Sequence, residues 1–158
     1  MSISLSRFKR FEKQIILKKI GISGQKKIEK AKVLIIGIGG LGCPLLVYLA
    51  SSGICNIGLV DHDKVETSNL NRQILFNSSD LGKYKVIQAR AKIKKIYNKV
   101  KIKIFKKKIS LDNIEAIIKN YDIICDGTDN FNTRYLVNDF CKKNKKILIS
   151  AAISQFDG

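Results

Sequence analysis

Histidine is nearly absent from this sequence: His62 is the only one, and the four cysteines (Cys43, Cys55, Cys125, Cys141) form no C-x-x-C pair. Structural zinc sites need several such ligands at short spacing, so the pattern speaks against one. Three of the four cysteines sit inside apolar stretches, which reads as buried, reduced thiols in a reducing compartment. Long apolar runs are missing too; none approaches the ~20 residues that span a bilayer, and no membrane partner is expected. Met1–Arg10 lacks the apolar core of a secretory signal, so the expected location is the cytoplasm.

Acidic residues are scarce as well, 13 against 30 basic ones, which leaves a net charge of +17. A nucleic-acid partner is the first thought, and arginine argues against it: only five of the thirty cations are arginine, and the lysines are scattered. Isoleucine is equally over-used, so the charge reads as compositional bias. It still steers an acidic partner or a nucleotide toward the surface.

At 158 residues the chain fits one domain, 1–158, around a single core. Residues 1–30 read as an N-terminal helical segment: amphipathic turns over 5–19, punctuation at Gly21 and Gly24, then a short helix through Gln25–Lys30. From residue 31 the periodicity alternates. Strands are expected at Val33–Gly37, Asn56–Asp61, Val100–Phe105, Asp122–Asp126 and Lys146–Ala151. Helices are expected at Pro44–Ser52, Lys85–Asn98, Leu111–Asn120 and Thr133–Lys143, with a polar loop over Lys64–Ser79. The β-α-β-α order gives an α/β fold, a Rossmann-like doubly wound and mainly parallel sheet with helices on both faces. The pattern stops just past its fifth strand, with nothing to cap that side of the sheet. A C-terminal part is therefore expected to be missing, and the unpaired edge is expected to leave apolar surface open.

Gly37, Gly39 and Gly42 fit G-x-G-x-x-G between a strand and a helix. Positions without Cβ allow a tight turn and bring ligand phosphate close to backbone N–H groups at a helix start. Asp61 ends the second strand about 20 residues on, where a carboxylate accepts from ribose hydroxyls. Nucleotide binding follows; which nucleotide does not, and an NAD(P)-dependent oxidoreductase fits these features equally well.

Downstream residues separate the two. Asn69-Leu70-Asn71-Arg72-Gln73 puts an amide and a guanidinium in the polar loop, Lys85 opens the next helix, and Asp126-Gly127-Thr128-Asp129-Asn130 ends the fourth strand. Two cations and a hard oxygen ligand around one phosphate site suit nucleotidyl transfer, with Asp129 as a Mg2+ ligand. Hydride transfer needs no such set. Taken singly, Lys85 reads as a solvated helix residue, Arg72 as a surface residue, and Asp129 as the N-cap of the next helix.

RFEKQIILKKIG, VLIIGIGGLGCP, LVDHDKVETSNLNRQILF, LGKYK, ICDGTDNFNTRYLVN and ISAAISQFDG stand in the order and spacing of the ThiF/MoeB-type adenylyltransferases. The eukaryotic ubiquitin-activating enzymes share that adenylation domain, and the chain resembles it over nearly its whole length. The resemblance implies that the C-terminal Gly-Gly carboxylate of a ubiquitin-like sulfur-carrier protein attacks the α-phosphate of Mg·ATP, in thiamine or molybdopterin cofactor synthesis. Pyrophosphate leaves and an acyl-adenylate forms. It also implies that Gly37, Gly39, Gly40 and Gly42 line the nucleotide and that Asp61 holds the ribose. Asn69, Arg72 and Lys85 would contact phosphates, Asp129 would hold magnesium, and Asn130 would lie near the adenosine. The family is usually a homodimer in which an N-terminal arginine enters the partner's site. In Arg10-Phe11-Glu12-Lys13-Gln14 that place falls to Lys13, which keeps the charge without the bidentate fork. The family continues for roughly half as much chain again, and zinc or a transfer cysteine belongs to that part. Two further readings share the domain: a partial subunit that binds without turnover, and a tRNA-modifying relative.

Overall fold

The computed structural model describes residues 3–153. Five parallel strands form one sheet: β1 (Lys32–Ile36), β2 (Asn56–Val60), β3 (Lys101–Phe105), β4 (Ile123–Asp126) and β5 (Ile147–Ser150). Their order is β3-β2-β1-β4-β5, so the winding reverses between β1 and β4. Register is set by the central strand, with Leu34 beside Gly58 on one side and Ile124 on the other. Val33–Ile36 are buried on both faces, which explains why β1 reads as an unbroken apolar run rather than an alternating one.

The helices α3 (Gly42–Ser51) and α4 (Lys85–Ile96) cover one face, while α5 (Ile114–Ile118) and α6 (Phe131–Lys143) cover the other. Each crossover buries its own core. Leu46, Ala50, Ala89 and Ile93 pack on Val33, Ile35 and Leu59, while Ile117, Ile118 and Val137 pack on Leu34, Ile36 and Ile124. A fully buried isoleucine or leucine is worth roughly 1.5–3 kcal/mol, so the isoleucine-rich composition supports both layers. The three cysteines at 43, 125 and 141 are buried and free, and Cys55 is half-buried. No described helix is long and apolar enough to cross a membrane.

The N-terminal segment forms two helices, α1 (Leu5–Ile15) and α2 (Gly21–Lys30). The structure departs here from the sequence reading, because Gly21 and Gly24 lie within α2 instead of breaking the chain. Leu17–Ile20 already turns, and Gly21 supplies a positive φ of 56° as the helix begins. Both helices clamp the amino edge of the sheet. Gln25, fully buried, donates to the Ser52 carbonyl (3.1 Å) and accepts from Gln14 Nε2 (3.1 Å). Gln14 also reaches the Ser52 carbonyl (3.1 Å), so the last turn of α3 is capped from outside. Gly53 is required beneath this network: its φ is 103°, and a Cβ there would stand 2.8 Å from the Phe11 ring. Arg10 lies over the Tyr97 ring (4.6 Å) and donates to the Ile96 carbonyl (3.1 Å), and Arg7 pairs with Glu29.

Other boundaries move as well. The helix expected over Leu111–Asn120 narrows to Ile114–Ile118, after a turn in which Asn113 Oδ1 accepts from Ser110 N. The polar loop contains single helical turns at Thr67–Asn69 and Ser78–Asp80. β5 is an edge strand, with Ile147 and Ile149 exposed, as expected of an uncovered edge. The end of ISAAISQFDG, from residue 154 on, lies outside the described residues.

Candidate active site

The reversal between β1 and β4 opens a crevice at the carboxyl edge, the place where open α/β sheets take ligands. Gly37 leaves β1 with φ 87°, and a Cβ on it would stand 3.1 Å from the Gly127 carbonyl oxygen. A Cβ on Gly42 would overlap the Gly37 carbonyl oxygen. The two strand-end loops therefore meet backbone to backbone. α3 then starts without a side-chain cap, from Leu41, and its first turn holds no acid. Among the described residues, the N–H groups of Gly39, Gly40, Leu41 and Gly42 donate to no protein acceptor. Four consecutive free donors at the positive end of a helix are an anion seat.

Asp61 is buried at the end of β2, and both of its oxygens are used. Oδ2 accepts from Ile38 N and Oδ1 from Asp63 N, each at 2.7 Å. It braces the glycine loop against β2, and a second lone pair on each oxygen remains for a ribose hydroxyl. The polar loop folds back over the same spot. The Arg72 stem lies against Gly40, with Cδ 3.5 Å from where a Cβ would be, and its exposed guanidinium donates to Ser68 O (2.9 Å) and Asn71 Oδ1 (3.1 Å). Asn69 is buried; its Oδ1 accepts from Glu66 N (3.2 Å), which leaves its Nδ2 without a protein acceptor.

Lys85 is not a solvated surface residue. It is 5% exposed at the first residue of α4, where the helix dipole disfavours a cation. Its Nζ pairs with Asp63 Oδ2 at 3.0 Å. Asp129 is exposed and makes no hydrogen bond or ion pair among the described residues. The N-cap of α6 is Asn130, whose Oδ1 accepts from Thr133 N at 3.0 Å, so capping does not account for Asp129. A free carboxylate on the loop whose Gly127 meets the glycine loop suits Mg2+, which takes one or two carboxylates plus phosphate oxygens. Among the described residues the one grouping of three metal-type ligands is Asp61–His62–Asp63, and Asp61 and Asp63 already serve the glycine loop and Lys85.

Lys13 is the candidate that the fold does not bring to the others. It is exposed on α1, whose Arg10 and Gln14 touch the C-terminal ends of α4 and α3 at the amino edge. Within one chain it stands across the sheet from the glycine loop.

Other residues at the site carry no obvious sequence signal. Asp126 is buried; Oδ1 accepts from Thr128 N and Oγ1 and Oδ2 from Ser150 Oγ. Arg134 donates to the carbonyls of Thr128 and Ala151 and to Ser150 Oγ, tying the loop that carries Asp129 to the end of β5. Gln73 is 3% exposed beside Gly39, and its Oε1 is the only buried side-chain polar atom without a partner among the described residues. Asp63 was legible in principle, since a cation opening a helix needs a counter-charge. Cys43, at the start of α3, has its thiol pushed up to about 12 by burial, which removes it as a nucleophile.

The family comparison agrees with this geometry. The ThiF family model matches residues 11–158. A probable molybdopterin-synthase adenylyltransferase of Porphyra purpurea is 44% identical over 155 residues, which is 98% of this chain and 41% of that one. The sulfur carrier protein adenylyltransferase of Thermus thermophilus is 39% identical over 149 residues, 94% of this chain and 55% of that one. The chain thus spans about half or less of the length of these relatives. Among solved structures, the E. coli tRNA N6-threonylcarbamoyladenosine dehydratase TcdA in complex with ATP superposes with a TM-score of 0.90 at 26% identity, over 99% of this chain and 65% of that one. E. coli MccB with ATP reaches 0.76 at 33% identity, over 81% and 38%. With the match running from Phe11 through the glycine loop, the folded-back polar loop and β5, the chain belongs to the ThiF family.

Proposed function

We propose that this chain is the nucleotide-binding part of an ATP-dependent adenylyltransferase that activates the C-terminal glycine carboxylate of a ubiquitin-like sulfur-carrier protein. The observation that carries it is the run of four N–H groups at Gly39–Gly42 without a protein acceptor among the described residues, with Arg72 against Gly40 and the loop of Asp129 meeting the same turn through Gly127. An anion seat with an adjacent cation and hard-metal ligand serves phosphates, and a dehydrogenase has no use for the last two.

The carrier carboxylate oxygen bonds to the α-phosphorus while the bond from that phosphorus to the bridging oxygen breaks, giving acyl-adenylate and pyrophosphate. Catalysis of such a step is mostly positioning and charge stabilisation. The N–H groups of Gly39–Gly42 and the guanidinium of Arg72 hold phosphate oxygens, and Nδ2 of Asn69 adds a donor. Lys85, paired with Asp63, faces the same edge. Asp61 fixes the loop and offers its remaining lone pairs to the ribose, and Asn130 lies on the adenosine side. Asp129 would hold Mg2+, which neutralises charge on the leaving pyrophosphate. Lys13 would act in a homodimer, supplied to the site of a second copy, since α1 cannot bring it to its own. The name of the molybdopterin-synthase relative supports molybdopterin synthesis over thiamine synthesis. The soluble character of these roles suits the cytoplasm.

The test mixes the purified chain with a Gly-Gly-terminated sulfur carrier and follows incorporation of labelled pyrophosphate into ATP. Carrier-dependent exchange is expected. ATP binding without exchange would leave a binding subunit in its place. A second reading, adenylation of a tRNA base, draws on the fit to TcdA and on the net charge of +17. It predicts exchange stimulated by tRNA and not by the carrier, with steep salt dependence.

A further inference from the structure

Among the described residues buried side-chain polar atoms find partners with one exception, which lies beside the glycine loop. Gln73 Oε1 is buried and accepts no hydrogen bond among the described residues, although an unpaired buried acceptor destabilises the protein that holds it. The backbone that carries it is fixed. Gln73 N donates to the Asn69 carbonyl (2.9 Å), and its own carbonyl accepts from Phe76 N (2.9 Å). Leu75 and Phe76, next in sequence, are embedded in the α3/α4 core. The amide is thereby held beside Gly39, with Nε2 3.9 Å from the position a Cβ would take there. Its donor end faces the loop whose N–H groups are open, and its acceptor end lacks a hydrogen.

We propose that Gln73 is a nucleotide-contacting residue whose buried amide is satisfied only when ligand is bound, Oε1 accepting from an O–H donor that the ligand brings. Phosphate and carboxylate oxygens cannot fill this role, because both are acceptors. A nucleotide complex carries two kinds of O–H donor near its phosphates: the ribose hydroxyls and the water molecules coordinated to its metal ion. The chemistry is the same for both. The inference rests on the nucleotide reading above and adds a residue for which that reading gave no role.

The variant is Gln73→Met, similar in length and without the polar atoms. Calorimetric titration with ATP plus Mg2+, ATP in EDTA, and 2′,3′-dideoxy-ATP plus Mg2+ is read beside thermal unfolding of the ligand-free protein. A free-protein Tm equal to or above wild type is expected, because an unpaired buried acceptor is removed. Affinity for Mg·ATP is expected to fall about tenfold, the scale of one lost hydrogen bond in a dry site. Loss that disappears with the dideoxy ligand assigns the ribose as donor; loss that disappears in EDTA assigns metal-bound water. An unchanged Mg·ATP affinity, an equal loss for all three ligands, or a lowered free-protein Tm overturns the proposal. Wild-type protein that binds no ATP overturns the nucleotide reading with it, whereas normal wild-type binding with an indifferent variant removes this inference alone.

Discussion

The two edges of the sheet are built from similar residues and finished differently. At the amino edge, Gln14, Gln25, Arg7 and Arg10 all have partners, and the last carbonyls of α3 and α4 are capped by their side chains. At the carboxyl edge, among the described residues, the first N–H groups of α3 have no side-chain cap, Gln73 Oε1 has no donor, and Asp129 has no ion-pair partner. Glutamine appears at both: the Gln25 amide is bonded at its two ends, whereas the Gln73 amide has a buried oxygen with no partner among the described residues. Polar groups that only hold structure are closed among themselves, and those that await a ligand are left open. The difference between the edges marks the candidate site more sharply than the glycine motif does.

The contrast can be broken most severely at Asp129. Asp129→Ala should lower carrier-dependent pyrophosphate exchange at least ~100-fold, about 2.7 kcal/mol of transition-state stabilisation. Because the carboxylate is exposed and unpartnered, its unfolding free energy in urea should stay within ~0.5 kcal/mol of wild type. Stability lost in parallel with activity would return Asp129 to a structural role. The mirror experiment is Gly53→Ala at the amino edge, where φ is 103° and a Cβ would crowd Phe11 and Gln25. A loss of about 2 kcal/mol in urea unfolding is expected, with ATP affinity of the folded fraction unchanged.

Burial of Cys43 gives a pH signature. Its folded pKa, about 12, lies above the ordinary 9, so the native state retains a proton that the unfolded chain releases. Stability is complete below pH 9 and falls from there toward pH 12, by up to ~1.4 kcal/mol per pH unit. Cys125, Cys141 and Tyr121, also raised by burial, steepen the decline. Denaturant melts between pH 8 and 10.5 should show it, and Cys43→Ala should flatten it. The smallest effect is expected for Gln25→Leu, about 1 kcal/mol by the same melts, with nucleotide affinity untouched. A fall in affinity there would mean that the edges communicate.

Much of the fold was legible because its signals are local. The VLIIG run, the glycine triplet and Asp61 placed β1, the turn and β2 from periodicity and backbone chemistry alone. Boundaries failed where side chains decide them: Gly24 sits inside a helix because α2 packs on Gln14 and Ser52, and α6 starts at Phe131 because Asn130 reaches back to Thr133 N. The site was legible in its residue types and blurred in their roles. Asp61 and Asn69 read as pure ligand groups, and both also hold the loops in place.

Residue order was enough for the layered α/β arrangement, the glycine turn and the family, because strand and helix periods, Cβ-free turns and short motifs are properties of neighbouring residues. Tertiary structure alone decided which polar groups are closed and which remain open. It paired Lys85 with Asp63, put Lys13 across the sheet, and left Gln73 unsatisfied beside Gly39. Partnership between residues far apart in the chain depends on distance and burial, and neither exists before the chain folds.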